Sequence, residues 1–292
     1  MPSVGDGAPM IDETVEEIAE MQTHSSSVVA VKAARALADL TGREFATVEE
    51  YERSLQRNAQ ALRRANPSHA SLHNAMADVV AGVEDADPAD VAAAKAATTD
   101  AIDRVVDTIE AGKHAAAENA AAYLEDGQTV LTHDYSSTVL EAVESATQDG
   151  KYLEAYVTEA RPRYLGRKSA RQLAAYDRVD THLLTDAAAG YYLEECDLVV
   201  VGMDCIVGDT LYNRVGTFPI AATAARVDVP VVVVGSDAKV IEDGFVFENE
   251  FRSPSEVMRE PAEGFSVENP AYDATPVDLL DAVITDEGVR SL

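Results

Sequence analysis

Residues 195–217, ECDLVVVGMDCIVGDTLYNRVGT, decide the fold. Leu198, Val199, Val200 and Val201 form an unbroken, largely β-branched run, the pattern of a strand buried on both faces of a parallel sheet. Gly202 ends the run, Asp204 sits where the strand opens into a loop, and Asn213, Arg214, Gly216 and Thr217 lead into an alanine-rich helix. A carboxylate, an amide and a guanidinium are thereby gathered at the carboxyl end of a strand and the start of a helix, where open α/β sheets bind ligands. The site is expected here.

Outward from this stretch the same pattern recurs. Residues 128–132 (QTVLT), 152–158 (YLEAYVT), 179–184 (VDTHLL) and 229–234 (VPVVVV) read as strands separated by helical stretches. Strands alternating with helices imply right-handed βαβ crossovers and a mainly parallel sheet, so 126–292 is expected to be a Rossmann-like α/β domain. No GxGxxG follows any of the strands, which disfavours a dinucleotide, and no cofactor is expected. Beyond Ser253 the chain reads as loop with four prolines and a short closing helix from about Val277, a tail suited to packing on a partner subunit.

The first 125 residues read instead as a helical domain. Ile11, Val15, Ile18 and Met21 recur at helical spacing, with Asp12 as the cap. Alanine-rich helices are expected over 28–40, 47–64, 71–83, from Asp87 and Pro88 onward, and over 114–124. Thr47 and Glu50 have capping-box spacing, and Asn66 and Pro67 stop the helix they begin. The alanines serve helix propensity and close packing.

The 292 residues include 52 Asp and Glu against 23 Lys and Arg, a formal net charge of −29. Such an excess repels a phosphate backbone and excludes direct nucleic-acid binding. Spread along the whole chain, it suits a protein kept soluble in molar salt, where self-repulsion is screened within a few Å, and a halophilic source is expected. No apolar run approaches the roughly 18 residues of a membrane span, and MPSVGDGAPMIDE lacks the basic start and apolar stretch of a signal peptide, which implies a cytoplasmic protein without a membrane partner. Cys196 and Cys205, at opposite ends of one strand, are expected to be free thiols.

In a parallel sheet all these strand ends open on one crevice. His133, Asp134 and Tyr135 follow the first strand, Glu159, Arg161 and Arg163 the second, with Arg167 and Lys168 starting the next helix. Asp204 follows the central strand, Asn213 and Arg214 lie beyond it, and Lys239 follows the last strong strand. Against so acidic a background this gathering of cations points to a small anion, a phosphate ester or nucleotide. The alternative is pairing with surplus carboxylates at a subunit interface. His133, Asp134 and Asp204 supply too few ligands for a metal and read as a buried hydrogen-bonded cluster. Ser136, Ser137 and Thr138 suit the cap of the following helix, and His24, His69, His114 and His182 have no partners at ligand spacing.

The stretches VLTHDYSSTVLEAV, EARPRYLGR, VVVGMDCIVGD, NRVGT and VPVVVVGSDAK resemble the family of the translation initiation factor 2B alpha, beta and delta subunits, which also holds ribose-1,5-bisphosphate isomerase and methylthioribose-1-phosphate isomerase. The resemblance implies a helical domain followed by a Rossmann-like one, assembled as homodimers or hexamers, with an initiation factor 2 subunit as a further partner. It also implies an acid/base pair, a cysteine after the first strand and an aspartate after the central one, that moves protons in aldose-to-ketose isomerisation. Asp204 matches the aspartate, but Asp134 stands at the cysteine. His24, Ser25 and Ser26 stand where the isomerases carry Arg-Gly-Ala. Asn66 replaces an arginine and Leu165 a glutamine, while Asn213, Arg214 and Lys239 keep the Asn-Lys pair and the lysine. Cys205 stands at the wrong place in the chain to replace the cysteine. Two carboxylates, Asp134 and Asp204, would repel each other and a dianionic ligand. The resulting expectation is a noncatalytic initiation-factor-2B-like subunit for assembly or sensing, with His133, Arg161, Asn213, Arg214 and Lys239 holding a phosphorylated small molecule. The alternative is an isomerase of the ribose-1,5-bisphosphate type using Asp204 and Asp134.

Overall fold

A computed structural model describes residues 11–19, 26–241 and 246–292. The chain divides into two compact units, 1–111 and 112–292.

The first unit is helical: α1 (Ile11–Ala19), α2 (Ser26–Ala36), α3 (Val48–Ala65), α4 (Ala70–Glu84) and the start of α5 (Val91–Tyr123), within which the division falls. Thr47 caps α3 by accepting the Glu50 N–H at 3.2 Å, while the Glu50 carboxylate accepts the Ala46 N–H at 2.9 Å. Leu37, Leu40, Leu55, Leu62 and Met76 fill the core, and the methyl-sized Ala30, Ala33 and Ala34 are wholly buried, allowing close helix approach. The buried Tyr51 hydroxyl is satisfied by donating to Thr98 Oγ1 at 2.7 Å. The helix expected from Asp87 and Pro88 onward and the one expected over 114–124 are a single 33-residue helix, α5, which starts at Val91 and contains no proline and one glycine, Gly112. His24 and Ser25 lie outside the described residues, as does Met21.

The second unit is built on two sheets. Its strands are β1 (Gln128–His133), β2 (Leu153–Thr158), β3 (Val179–Leu184), β4 (Leu198–Gly202), β5 (Cys205–Val207), β6 (Thr210–Arg214), β7 (Val231–Val234), β8 (Val240–Ile241), β9 (Tyr272–Pro276), β10 (Ala282–Thr285) and β11 (Gly288–Ser291). The larger sheet has the order β11-β10-β7-β4-β1-β2-β3 and is parallel except at β11. Alternate residues of its central strands enter opposite cores. Val130, Val157, Val200 and Val232 face one side, with α6 (Ser137–Gln148) and α7 (Gly166–Leu173). Leu131, Val199, Val201 and Val233 face the other, with α8 (Ala189–Tyr192) and α9 (Thr217–Arg226). The smaller sheet, β8-β5-β6-β9, grows from the segment after β4.

The closing helix expected from Val277 is corrected: Val277–Leu279 is one 3₁₀ turn, and β10 and β11 form an antiparallel hairpin beyond it. β10 carries the β-branched run VIT and pairs in parallel with β7, a burial that outweighs any helical tendency. No described helix is long and apolar enough to cross a membrane.

Candidate functional site

The chain switches direction across the larger sheet between β1 and β4, adjacent parallel strands that lead to Asp134 and Asp204 respectively. A crevice at such a switch point is the usual ligand site of an open α/β sheet. Asp134 adopts φ +61°, a left-handed conformation that Asp tolerates better than most residues. Its carbonyl accepts from Ser169 Oγ at 2.7 Å, which ties the turn after β1 to α7. Ser136 caps α6, its Oγ accepting from the Val139 N–H at 3.3 Å. The absence of a side chain at Gly202 leaves room for that serine: a Cβ there would lie 2.4 Å from Ser136 Oγ.

β5 and β6 then bring Arg214 back to the strand end. The register pairs Cys205 with Tyr212, and the Asp204 N–H donates to the Tyr212 carbonyl at 3.2 Å, so Arg214 two residues later reaches the carboxylates. Its Nε lies 3.5 Å from Asp204 Oδ2 and 3.9 Å from Asp134 Oδ2, with side-chain exposures of 18%, 8% and 10% for the arginine, Asp204 and Asp134. The repulsion expected between the two aspartates is therefore bridged by a cation. Tyr272, on β9, puts its ring 4.8 Å beneath the guanidinium. Burial works against the charged form of Arg214, but Tyr272, Asp204 and Asp134 outweigh it and hold the arginine firmly protonated.

Asp134 responds in the opposite sense. Burial raises its pKa above the usual carboxylate range, Asp204 adds to the rise, and Arg214, His133 and Arg163 offset only part of it. Its Oδ1 is buried without a hydrogen-bond partner, so no hydrogen bond to that oxygen favours the carboxylate. Lys239 is buried too. Its ammonium donates to the Met203 carbonyl at 3.0 Å, and desolvation lowers its pKa against the opposing pull of Asp204.

The remaining residues singled out in the sequence have other partners. His133 Nε2 faces the Val215 carbonyl at 2.8 Å and Nδ1 the Thr158 hydroxyl at 2.6 Å, so both ring nitrogens are occupied within the protein. Asn213 Nδ2 donates to Thr217 Oγ1 at 3.0 Å, which itself donates to the Arg214 carbonyl at 2.7 Å, and together they fix the turn into α9. Arg161 is exposed, bonded to the Tyr164 hydroxyl and, at 3.1 Å, to the Val257 carbonyl. Arg167 pairs with Glu159 at 2.6 Å, and Lys168 lies 4.0 Å over the Tyr135 ring. Cys196 and Cys205 are buried free thiols, each pushed up to about 12, chiefly by burial. Among the described residues no cluster of His, Cys, Asp and Glu is arranged to hold a metal ion.

Asp134, Arg161, Arg163, Arg214, Arg252 and Asn269 line one small cavity of about 20 Å³, enough for roughly one water molecule. Arg252 and Asn269 come from a stretch whose prolines and polar residues read as plain loop. The only sequence signal for them was an arginine within the acidic run ENEFRSPSE. Arg252 is held by Glu250 at 2.7 Å and Glu256 at 2.9 Å, and Asn269 Nδ2 donates to the Ser253 carbonyl at 3.0 Å. Asp273, also unread in the sequence, accepts from the Gly216 N–H at 2.7 Å and the Phe218 N–H at 3.0 Å, so a protein carboxylate already occupies the α9 amino terminus.

Against known proteins, the model of the Initiation factor 2 subunit family matches residues 22–291. Ribose 1,5-bisphosphate isomerase of Haloterrigena turkmenica is 34% identical over 300 residues, covering 97% of this chain and 90% of its own. The protein of that name from Haloferax volcanii is 31% identical, covering 96% and 88%. The solved structure of a Pyrococcus horikoshii translation initiation factor eIF-2B is similar with a TM-score of 0.81 at 24% identity, covering 96% of each chain, a likeness of fold alone. Six curated ribose 1,5-bisphosphate isomerases, 29% to 34% identical over nearly the whole chain, overturn the expectation of a noncatalytic assembly or sensing subunit. That expectation weighed a few changed positions, Asp134 foremost, as lost chemistry. The similarity extends instead through both units, and burial, by raising the pKa of a carboxyl group, suits it to donate a proton.

Proposed function

We propose, for a chain that belongs to the initiation factor 2 subunit family, the role of an aldose–ketose isomerase acting on a phosphorylated ribose, with ribose 1,5-bisphosphate as the substrate to test first. The observation that carries the reading is the similarity to the Haloterrigena isomerase over 97% of the chain. The site supports it chemically. Converting the cyclic aldose ester to the ketose requires a proton on the ring oxygen as the C1–O4 bond breaks and loss of the C2 hydroxyl proton as the carbonyl forms, while the hydrogen on C2 moves to C1. A neutral carboxyl group and a neighbouring carboxylate are the two groups this balance needs. Asp134, driven toward its neutral form by burial, takes the part of the acid. Asp204, 3.5 Å from the Arg214 guanidinium, takes the part of the base.

In this reading Arg214 has two tasks. It bridges Asp204 and Asp134, and it offers a fixed positive charge to the oxygen on which charge develops as the carbonyl forms. Lys239 holds the Met203 carbonyl and so steadies the backbone before Asp204. His133, Asn213 and Asp273 position the turn that carries Arg214.

The test is to incubate the protein with ribose 1,5-bisphosphate in molar potassium chloride and follow the ketose by NMR. Formation of product that Asp204→Asn abolishes is the expected result. No product from folded protein would remove the proposal. A homodimer belongs to the same reading, supported by Tyr191 and Phe218, large and exposed on the neighbouring α8 and α9, and light scattering at twice the mass of the chain is the corresponding check.

A further inference from the structure

Four arginines line the cavity beside Asp134, and three of them are accounted for. Arg214 bridges the two aspartates, Arg252 is held by Glu250 and Glu256, and Arg161 bonds to Tyr164 and to the Val257 carbonyl. Arg163 differs. Its Nη2 is buried, and no hydrogen-bond partner reaches it. A guanidinium carries donors in a planar fork, and a buried donor left unpaired costs more than a bond gained would return, so such a group is retained where a ligand completes it. Its neighbours sharpen the point. Burial, then Arg252 and Arg214, push Arg163 below the usual arginine range, and Glu256 and Asp134 do not compensate. The acids around the cavity pair with Arg214 and Arg252, and the buried Nη2 of Arg163 is left without a hydrogen bond.

We propose that Arg163 is a specificity-determining residue that binds a phosphoryl group of the substrate, drawing a doubly phosphorylated pentose into the cavity beside Asp134. The inference rests on the isomerase reading and deepens it. A phosphate dianion matches the arginine fork with two parallel charge-assisted bonds and meets the donor that the protein leaves unpaired. Arg163 also precedes Tyr164, Leu165 and Gly166, the last of which starts α7 so close to β2 that a Cβ there would overlap the Thr158 carbonyl. The segment is thereby anchored to the sheet, and Arg163 is presented from a fixed backbone rather than from a loose loop.

The experiment compares wild type with Arg163→Gln and Arg163→Lys in three measurements: turnover of ribose 1,5-bisphosphate, calorimetric binding of inorganic phosphate, and thermal unfolding without added anion. Arg163→Gln is expected to raise KM about tenfold to hundredfold with kcat within about threefold, and to weaken phosphate binding in parallel. Arg163→Lys should recover part of the loss, since an ammonium keeps the charge without the fork. Removing an unpaired buried cation should leave the unliganded protein at least as stable as before. If wild type turns over the bisphosphate and Arg163→Gln leaves KM unchanged, this inference is wrong and the isomerase reading survives. If nothing is turned over yet wild type binds phosphate through Arg163, the anion site stands and the isomerase reading falls. A marked loss of thermal stability in the unliganded Arg163→Gln protein would make the arginine a structural ion and overturn the inference, as would the absence of phosphate binding by wild type.

Discussion

The larger sheet delivers Asp134 and Asp204 to the crevice at the ends of strands with apolar centres, Val130 and Leu131 in β1 and Leu198 to Val201 in β4, whereas the smaller sheet delivers Arg214, and Tyr272 beneath it, from strands lined with polar contacts. One sheet supplies the acids and the other the cation that lets two acids share a buried place. The difference has an energetic meaning. The larger sheet is held by Val and Leu side chains packed on both faces and does not need its terminal carboxylates for stability. The smaller sheet depends on its ions, since Arg214 without its acids, or the acids without Arg214, leaves charge buried and uncompensated. Changes to the aspartates should therefore be felt in catalysis, and changes in the smaller sheet in stability as well.

The largest effect expected is on turnover. Asp204→Asn removes the proposed base while keeping its shape, and kcat should fall by about 10²- to 10⁴-fold, with a smaller loss of stability because Asp134 remains beside Arg214. Rate constants and urea curves on the same protein would check both halves. A large loss of stability with modest loss of rate would break the division of labour between the sheets.

Asp134→Asn comes next, with a fall in kcat of about 10²-fold and a signature in pH whose direction Asp78, also raised by burial, shares. The folded pKa of Asp134 lies above its unfolded value, so between the two the folded chain binds the extra proton. Stability from this group is then present at low pH and is lost as pH rises from about 3.9 through the raised value, by up to about 1.4 kcal/mol per pH unit. Glu141 and Glu256, both lowered despite partial burial because Lys113, His114 and Arg252 hold their charged forms, act in the opposite sense as pH falls. Subtracting the stability of Asp134→Asn from that of wild type across pH isolates the aspartate. A flat difference would mean that Asp134 ionises like an exposed carboxylate.

Arg214→Met tests the smaller sheet directly. It should cost roughly 3 kcal/mol, the lower end for a broken buried pair, because Asp134 can remain protonated when its partner is gone. Denaturant midpoints would measure it. Gly216→Ala, at the turn from β6 into α9, should cost about 1–3 kcal/mol, since φ there is +111° and an added Cβ would lie 2.6 Å from the His133 ring. Here the two sheets are tied together, His133 from β1 meeting the Val215 carbonyl just after β6. Thermal unfolding would show whether that tie is rigid.

The same contrast explains what the sequence disclosed. Strands such as VVVV at 231–234 are readable because burial on both faces leaves an apolar run, and residues at the ends of such strands, Asp134 and Asp204 among them, can be placed on a crevice by pattern alone. β6 reads TLYNR, in which the inward residues are Leu211 and Asn213, so a buried amide hides the alternation. β9 lies after a proline-rich stretch and becomes a strand only by pairing with β6, which is why Tyr272 and Asp273 carried no signal. The bridge of Arg214 between the carboxylates depends on this long-range pairing. Reading the chain locally gave two acids in mutual repulsion, and the noncatalytic expectation followed from it.

Cys205 marks the smallest expected effect and the point where the two sheets join, directly after Asp204 at the start of β5. If its thiol did the work that the family assigns to the residue at position 134, Asp134 would be only a filler and the contrast between the sheets would lose its meaning. Burial and the adjacent Asp204 push the thiol up to about 12, and Lys239 offsets only part of this, so it is protonated at neutral pH and a poor nucleophile. The chain buries it completely, leaving no path for a reagent. Cys205→Ala should therefore keep kcat within about threefold, and iodoacetamide should label the folded protein far more slowly than the unfolded one. Loss of turnover on either treatment, with the fold intact by circular dichroism, would transfer the acid's role from the large sheet to the small one.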